Sequence, residues 1–349
     1  MTPSSWFGSG GRCWLQGGIV MGMAGMTAFA AEPPAAEPDE KALAILAAAG
    51  KRDVRVHDPS TIVKEGDTYW FFGTGRGVNS YRSGDLVDWE RGPAVFPELP
   101  DWITDIAESQ RGHFWAPDII QQDGRYLLYY SVSEFGRNTS AIALATTPTL
   151  DPEAADYGWK DEGIVIRSRE DDNFNAIDPA ITRDAEGRLW MSFGSFWSGI
   201  KLIELDPVTG HRIAPDSPLH ALAYKREIEA PAIHRHGGYY YLFVNWGICC
   251  RGVNSTYNIR VGRSRDITGP YLDREGSDMR EGGGSLFLET DGPFIGPGHV
   301  GIVEEEGRHW LGLHFYDGTN RGRPTLALRP LRWGDDGWPV AGEAGQDAR

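Results

Sequence analysis

Residues 58–75 read DPSTIVKEGDTYWFFGTG: a proline-containing opening, a short apolar run, an acidic glycine turn, then an aromatic-rich run. The run Tyr69 to Phe72 mixes aromatic residues without helical period, which reads as a strand, and the turn before it makes the unit a hairpin. The same unit recurs from Trp115-Ala116-Pro117 to Ser133, from Asp178-Pro179 to Ser195, from Glu229-Ala230-Pro231 to Trp246 and from His299-Val300 to Phe315. Its turns fall at Gly66, Gly124, Gly187, Gly237-Gly238 and Gly307. Spacings of about 50 to 70 residues leave room for one four-stranded antiparallel sheet per repeat. Five such sheets around one axis predict an all-β, five-bladed β-propeller over residues 53–340. A sandwich or jelly roll would not account for five openings of one type.

The first strand of each blade lies nearest the axis, so the five openings converge on one channel. Aligned on the prolines, the residue at each opening is Asp58, Ala116, Asp178, Ala230 or His299, and the one before it His57, Trp115, Ile177, Glu229 or Gly298. Asp-Pro alone is a common turn opener. Three carboxylates brought to one channel mouth from distant sequence positions are something packing does not require. Glu229, half-buried beside other carboxylates, is expected to have a raised pKa, as a general acid requires. Paired carboxylates across a sugar-sized cleft are the machinery of glycoside hydrolysis, so Asp58, Asp178 and Glu229 are the candidate catalytic residues. His57 is a candidate substrate contact, and His299, in a glycine-rich stretch that allows close approach of a ligand, a candidate ligand or metal contact. Phe114, Trp115 and Trp197 are candidate sugar platforms, with Asn175 and Ser195 as hydroxyl partners. Retention or inversion depends on carboxylate separation, and both stay open at this point.

The 349 residues carry 34 basic and 49 acidic side chains, a net charge of −15 that repels phosphate backbones and anionic headgroups. Neither nucleic acid nor a membrane is an expected partner. A single charge, Arg12, precedes the apolar, glycine-rich stretch Leu15 to Ala30, and Ala28-Phe29-Ala30 has the small residues of a cleavage site. Residues 1–30 thus read as an export signal and 31–52 as a leader containing a short Ala-rich helix, which predicts a secreted protein, extracellular or periplasmic. Cys13 leaves with the signal, while Cys249 and Cys250 are adjacent and form either a vicinal disulfide or two buried thiols. Asn138-Thr139-Ser140 and Asn254-Ser255-Thr256 match glycosylation sequons.

The openings VHDPS at 56–60, HFWAPD at 113–118, AIDPA at 176–180, IEAP at 228–231 and GPGHVG at 296–301 resemble those of glycoside hydrolase family 43. FGSFWSGI at 193–200 and CCRGVNSTY at 249–257 are similar to stretches of its α-L-arabinanases, and the resemblance runs from about Val54 to Trp333. It implies an inverting hydrolase of arabinan or arabino-oligosaccharides; the protein is expected to act as a monomer. In it Asp58 is the general base and Glu229 the general acid, while Asp178 raises and orients that acid. It also implies that His299 stands by a central ion, usually calcium, held mostly through water. Two alternatives share the fold: an exo-acting α-L-arabinofuranosidase or β-xylosidase, and a non-catalytic carbohydrate-binding propeller.

Overall fold

Five antiparallel sheets follow one another along the chain, and each is completed before the next begins, with one small exception. The computed structural model describes residues 54–342 apart from residue 306. The expected signal, leader and short helix lie outside them. Blade 1 comprises Val63–Glu65, Thr68–Gly73, Asn79–Ser83 and Glu90–Arg91; blade 2, His113–Gln122, Arg125–Val132, Ser140–Thr147 and Lys160–Ser168. Blade 3 comprises Ala180–Arg183, Leu189–Phe193, Ile200–Leu205 and His220–Ala223; blade 4, Ile228–His236, Tyr239–Trp246, Asn258–Ser264 and Ser285–Leu288. Blade 5 comprises Phe294–Glu305, Arg308–Asp317, Arg323–Trp333 and Pro339–Ala341. The exception is Gly75–Arg76, which leaves blade 1 to pair with His113 and Phe114 of blade 2. The protein is the all-β, five-bladed propeller that its repeats predict. Gly66, Gly124, Gly187, Gly237, Gly238 and Gly307 all have positive φ, the left-handed turn geometry for which glycine carries no Cβ penalty.

Each blade is sandwiched between two others, which explains why the second strands are apolar on both faces rather than alternating. Tyr69 and Phe71 pack with Trp310 and Leu328 of blade 5, while Trp70 and Phe72 pack with Ile119 and Leu128 of blade 2. Leu127 and Tyr129 meet Met191 and Ile203 of blade 3; Leu202 meets Leu242 of blade 4; Phe243 and Val261 meet Leu311 and Leu313 of blade 5. Five apolar clusters therefore fill five interfaces, and the ring closes. Its seam, between blades 5 and 1, is reinforced where Val56 N–H donates to Pro324 O (3.3 Å) and Leu326 N–H to Val54 O (2.9 Å).

At the openings the backbone turns left-handed: φ is +50° at Asp58, +43° at Ala116, +60° at Asp178, +52° at Ala230 and +59° at His299. For residues with a Cβ this conformation costs on the order of 1–3 kcal/mol and persists only where the surroundings enforce it. A side chain of the preceding blade does so at every opening by accepting the N–H. Asp58 donates to His314 Nδ1 (3.2 Å), Ala116 to Thr74 Oγ1 (2.9 Å), Asp178 to Ser131 Oγ (3.1 Å), Ala230 to Asp178 Oδ2 (3.1 Å) and His299 to Asn245 Oδ1 (3.0 Å).

Asp118, quoted in HFWAPD, ties three blades: its carboxylate accepts Thr61 N–H (2.9 Å) from blade 1 and Ile181 N–H (2.7 Å) from blade 3. It is buried, so Asp118→Ala strands two backbone donors away from water. The expected loss is about 2–4 kcal/mol, read from urea denaturation of the variant against the parent.

Candidate active site

All five blades contribute to one cleft of about 1340 Å³, which His57, Asp58, Trp115, Asn175, Asp178, Ser195, Trp197, Glu229 and His299 all line. The alignment of openings thus places the sequence-derived residues together, with Phe114 as the exception. Phe114 is fully buried, its ring 5.7 Å from that of Phe96 and 4.9 Å from that of Tyr130. Consecutive strand residues point to opposite faces, so it is a core residue and no sugar platform. Trp197 is 41% exposed, carried by a loop in which Phe196 and Trp197 both have positive φ. Trp115 lies against Phe135 (4.8 Å between rings), which is 78% exposed and lines the same cleft, an aromatic surface that sequence reasoning missed. Asn175 is held by Ser140, whose hydroxyl donates to its Oδ1 (2.7 Å).

Asp58 sits among histidines. His57 Nδ1 lies 2.8 Å from its Oδ2, Thr74 Oγ1–H donates to the same oxygen (2.6 Å), and His299 and His314 approach Oδ1 at 3.6 and 3.7 Å. Burial by itself would raise the Asp58 carboxyl, but the His57 ring bonded to it holds it well below the usual carboxylate range. Glu229 is the opposite case. Burial, with the charge of Asp58 added, pushes it from 4.5 up to about 7, although the Ser195 hydroxyl donates to its Oε2 (2.8 Å) and favours the ionised form. Tyr257 O–H donates to the other oxygen, Oε1. Asp178 is raised by burial, then by Glu229 and Asp58. Asp178 and Glu229 are therefore a pair that keeps a proton near neutrality beside a carboxylate that stays ionised.

Thr74, Tyr257, His314 and Tyr316 were not singled out in the sequence. The signal was there, because Thr74, Ser131, Ser195, Asn245 and His314 recur near the end of each unit's second strand, where they serve the channel. Gly298 also has a role other than the expected one. A Cβ there would lie 2.5 Å from the Tyr257 ring, so the glycine admits the tyrosine that serves Glu229, not a ligand.

His57, Asp58 and His314 bring ligand atoms within 4.8 Å of one another, a spacing that a metal could exploit. Their hydrogen bonds explain it otherwise: His57 Nδ1 is bonded to Asp58, and His314 Nδ1 accepts the Asp58 N–H. That acceptance puts the ring proton of neutral His314 on Nε2, which is buried and has no hydrogen-bond partner among the described residues.

Of the two readings of the cysteines one holds, and the expectation for one sequon is corrected. Cys249 and Cys250 form a disulfide, and Cys250 is exposed, so they are not buried thiols. The Asn138 amide is buried and donates to the carbonyls of Arg169, Asp172 and Phe174, which leaves that sequon no accessible acceptor.

A propeller with carboxylates of opposite tuning in a cleft this large is the architecture of a glycoside hydrolase. The Glycosyl hydrolases family 43 profile matches residues 53–339, and the chain belongs to that family. It is 44% identical over 325 residues to the extracellular exo-α-(1→5)-L-arabinofuranosidase ArbA of Cellvibrio japonicus, covering 88% of this chain and 93% of that one. To the extracellular endo-α-(1→5)-L-arabinanase 1 of Bacillus subtilis it is 43% identical over 298 residues, covering 83% and 88%. The structure of Cellvibrio cellulosa α-L-arabinanase complexed with arabinohexaose superposes with a TM-score of 0.81 at 43% identity, covering 85% of this chain and 98% of that one.

Because the folded Glu229 is raised above its unfolded value, the stability it contributes is complete below about pH 4.5 and is lost as pH rises through about 7. Glu229→Gln has no such proton to lose. Its melting temperature is expected to gain on the parent's as pH rises from 4.5 to 8, and a constant gap across that range would contradict the raised pKa.

Proposed function

We propose that the protein is a secreted hydrolase that cleaves internal α-1,5-L-arabinofuranosidic bonds of arabinan with inversion. The observation that carries this reading is the opposite tuning of Asp58 and Glu229 in one cleft. Asp58, held ionised, takes a proton from water as the water attacks the anomeric carbon, while Glu229, held protonated, gives its proton to the departing oxygen. Asp178, whose Oδ2 accepts the Ala230 N–H next to Glu229, orients the acid. Two relatives of similar identity, an arabinanase and an arabinofuranosidase, support the linkage, and their description as extracellular supports export. The cleft exceeds the 300–1000 Å³ usual for small ligands, which favours several sugar residues over one.

Calcium by His299 belongs to the same proposal. The donors fit a cation held mainly through water: burial keeps His299 neutral, and His314 Nε2–H needs an acceptor that an ordered water provides. Such an ion would supply positive charge beside Asp58. Exhaustive chelation is expected to lower turnover while circular dichroism stays unchanged, and loss of the fold before loss of activity would reverse the assignment.

The specific alternative is the exo mode of the Cellvibrio japonicus relative. Linear arabinan decides between them: short oligomers released early support internal cleavage, arabinose alone means terminal cleavage, and no release means a binding module. The two carboxylates separate by leaving group. Glu229→Ala is expected to lose on the order of 10² to 10⁴ in rate on arabinan, yet far less on a nitrophenyl arabino-oligosaccharide, whose leaving group needs no proton. Asp58→Ala stays slow on both. Recovery of Asp58→Ala instead of Glu229→Ala would exchange the two roles.

A further inference from the structure

A second feature of the cleft reaches the base from the far side. Cys250, joined to its neighbour Cys249 by a disulfide, has φ +63°, and from this left-handed position its backbone N–H donates to Tyr316 OH (2.7 Å). The Tyr316 hydroxyl lies 2.8 Å from His57 Nε2, and His57 Nδ1 lies 2.8 Å from Asp58 Oδ2. The Cys250 sulfur is itself 3.8 Å from His57 Nε2. An unbroken chain of contacts therefore runs from the disulfide to the carboxylate.

We propose that the Cys249–Cys250 disulfide is a latch that positions Asp58 through Tyr316 and His57. The Tyr316 oxygen accepts the Cys250 N–H and is hydrogen-bonded to His57 Nε2, and His57 donates Nδ1–H to Asp58. Oδ2 is then held by His57 and Thr74, while Oδ1 takes no hydrogen bond among the described residues and is the oxygen left for water. The disulfide closes a small ring around the Cys249–Cys250 peptide and holds Cys250 in a conformation that a residue with a Cβ otherwise leaves. Opening it takes two electrons from a phosphine or dithiol reductant, with the two protons coming from water or from the dithiol, which leaves as its own disulfide. The S–S bond becomes two thiols; a phosphine takes an oxygen from water and leaves as its oxide. Cys250 is then free to rotate, and its N–H leaves Tyr316. Cys250 is exposed at the cleft, so a reductant reaches it.

This inference rests on Asp58 as the base, and its test is run against the oxidised enzyme's own rate on linear arabinan. A phosphine reductant, with two thiols titrated to verify opening, is expected to lower kcat on the order of ten- to a hundredfold while KM stays within about twofold. Reoxidation restores the rate. The Cys249→Ala/Cys250→Ala variant and Tyr316→Phe should each show the lowered kcat, ignore the reductant, and add no further loss when combined. Full kcat with two free thiols, a rise in KM alone, or additive losses would overturn the latch. Should reduction disturb the circular dichroism spectrum, the Ala and Phe variants and their combination decide the question. An oxidised enzyme with no activity on arabinan sinks the functional reading, whereas an active one indifferent to reduction and to both variants sinks only the latch.

Discussion

Five backbone N–H groups at the inner ends of the blades set the terms for everything else. Each belongs to a left-handed residue with a Cβ, and each is accepted by a side chain of the preceding blade. A buried N–H without a partner costs about as much as a lost hydrogen bond, so the blades register on one another at the channel and not only through apolar packing. The accepting groups also work in the site. Thr74 donates its hydroxyl proton to Asp58, His314 stands against that same carboxylate, and Asp178 is one of the three acids. Folding and chemistry draw on the same few atoms.

Burial acts on Asp58 and Glu229 alike, yet the two end on opposite sides of the ordinary range, because their neighbours differ. Three imidazoles surround Asp58. Glu229 has a serine and a tyrosine hydroxyl, which stabilise its charge less than burial and the Asp58 carboxylate oppose it. The acid and base roles proposed for them would need this divergence, and the ring supplies it by drawing the partners of each carboxylate from different blades.

The repeat was legible because glycine turns and two-faced apolar strands are local features, and one alignment on the prolines then brought Asp58, Asp178, Glu229 and His299 to one place. Phe114 shows where the alignment was not carried far enough. Val56, Phe114, Ala176 and Ile228 hold the same position, two before the opening residue, and all are buried. In the strands that carry Phe114 and Ile228, the alternation of side chains turns that position away from the cleft and the next one, Trp115 or Glu229, toward it. Tyr316 and Cys250 were beyond reach for a different reason. Their contact depends on the chain after Trp246 folding back over the channel, a path that no periodicity encodes.

The seam between blades 5 and 1 joins the two ends of the described chain, and Asp58 stands on it. His57 and Asp58 come from the first residues of the propeller, His299, His314 and Tyr316 from its last blade. Glu229 and Asp178 need no such closure. Without blade 5, Asp58 keeps its hydrogen-bond partners His57 and Thr74 but loses the flanking rings of His299 and His314. A chain clipped within blade 5 thus keeps Trp115, Trp197 and the Asp178–Glu229 pair while one side of the surroundings of Asp58 is gone.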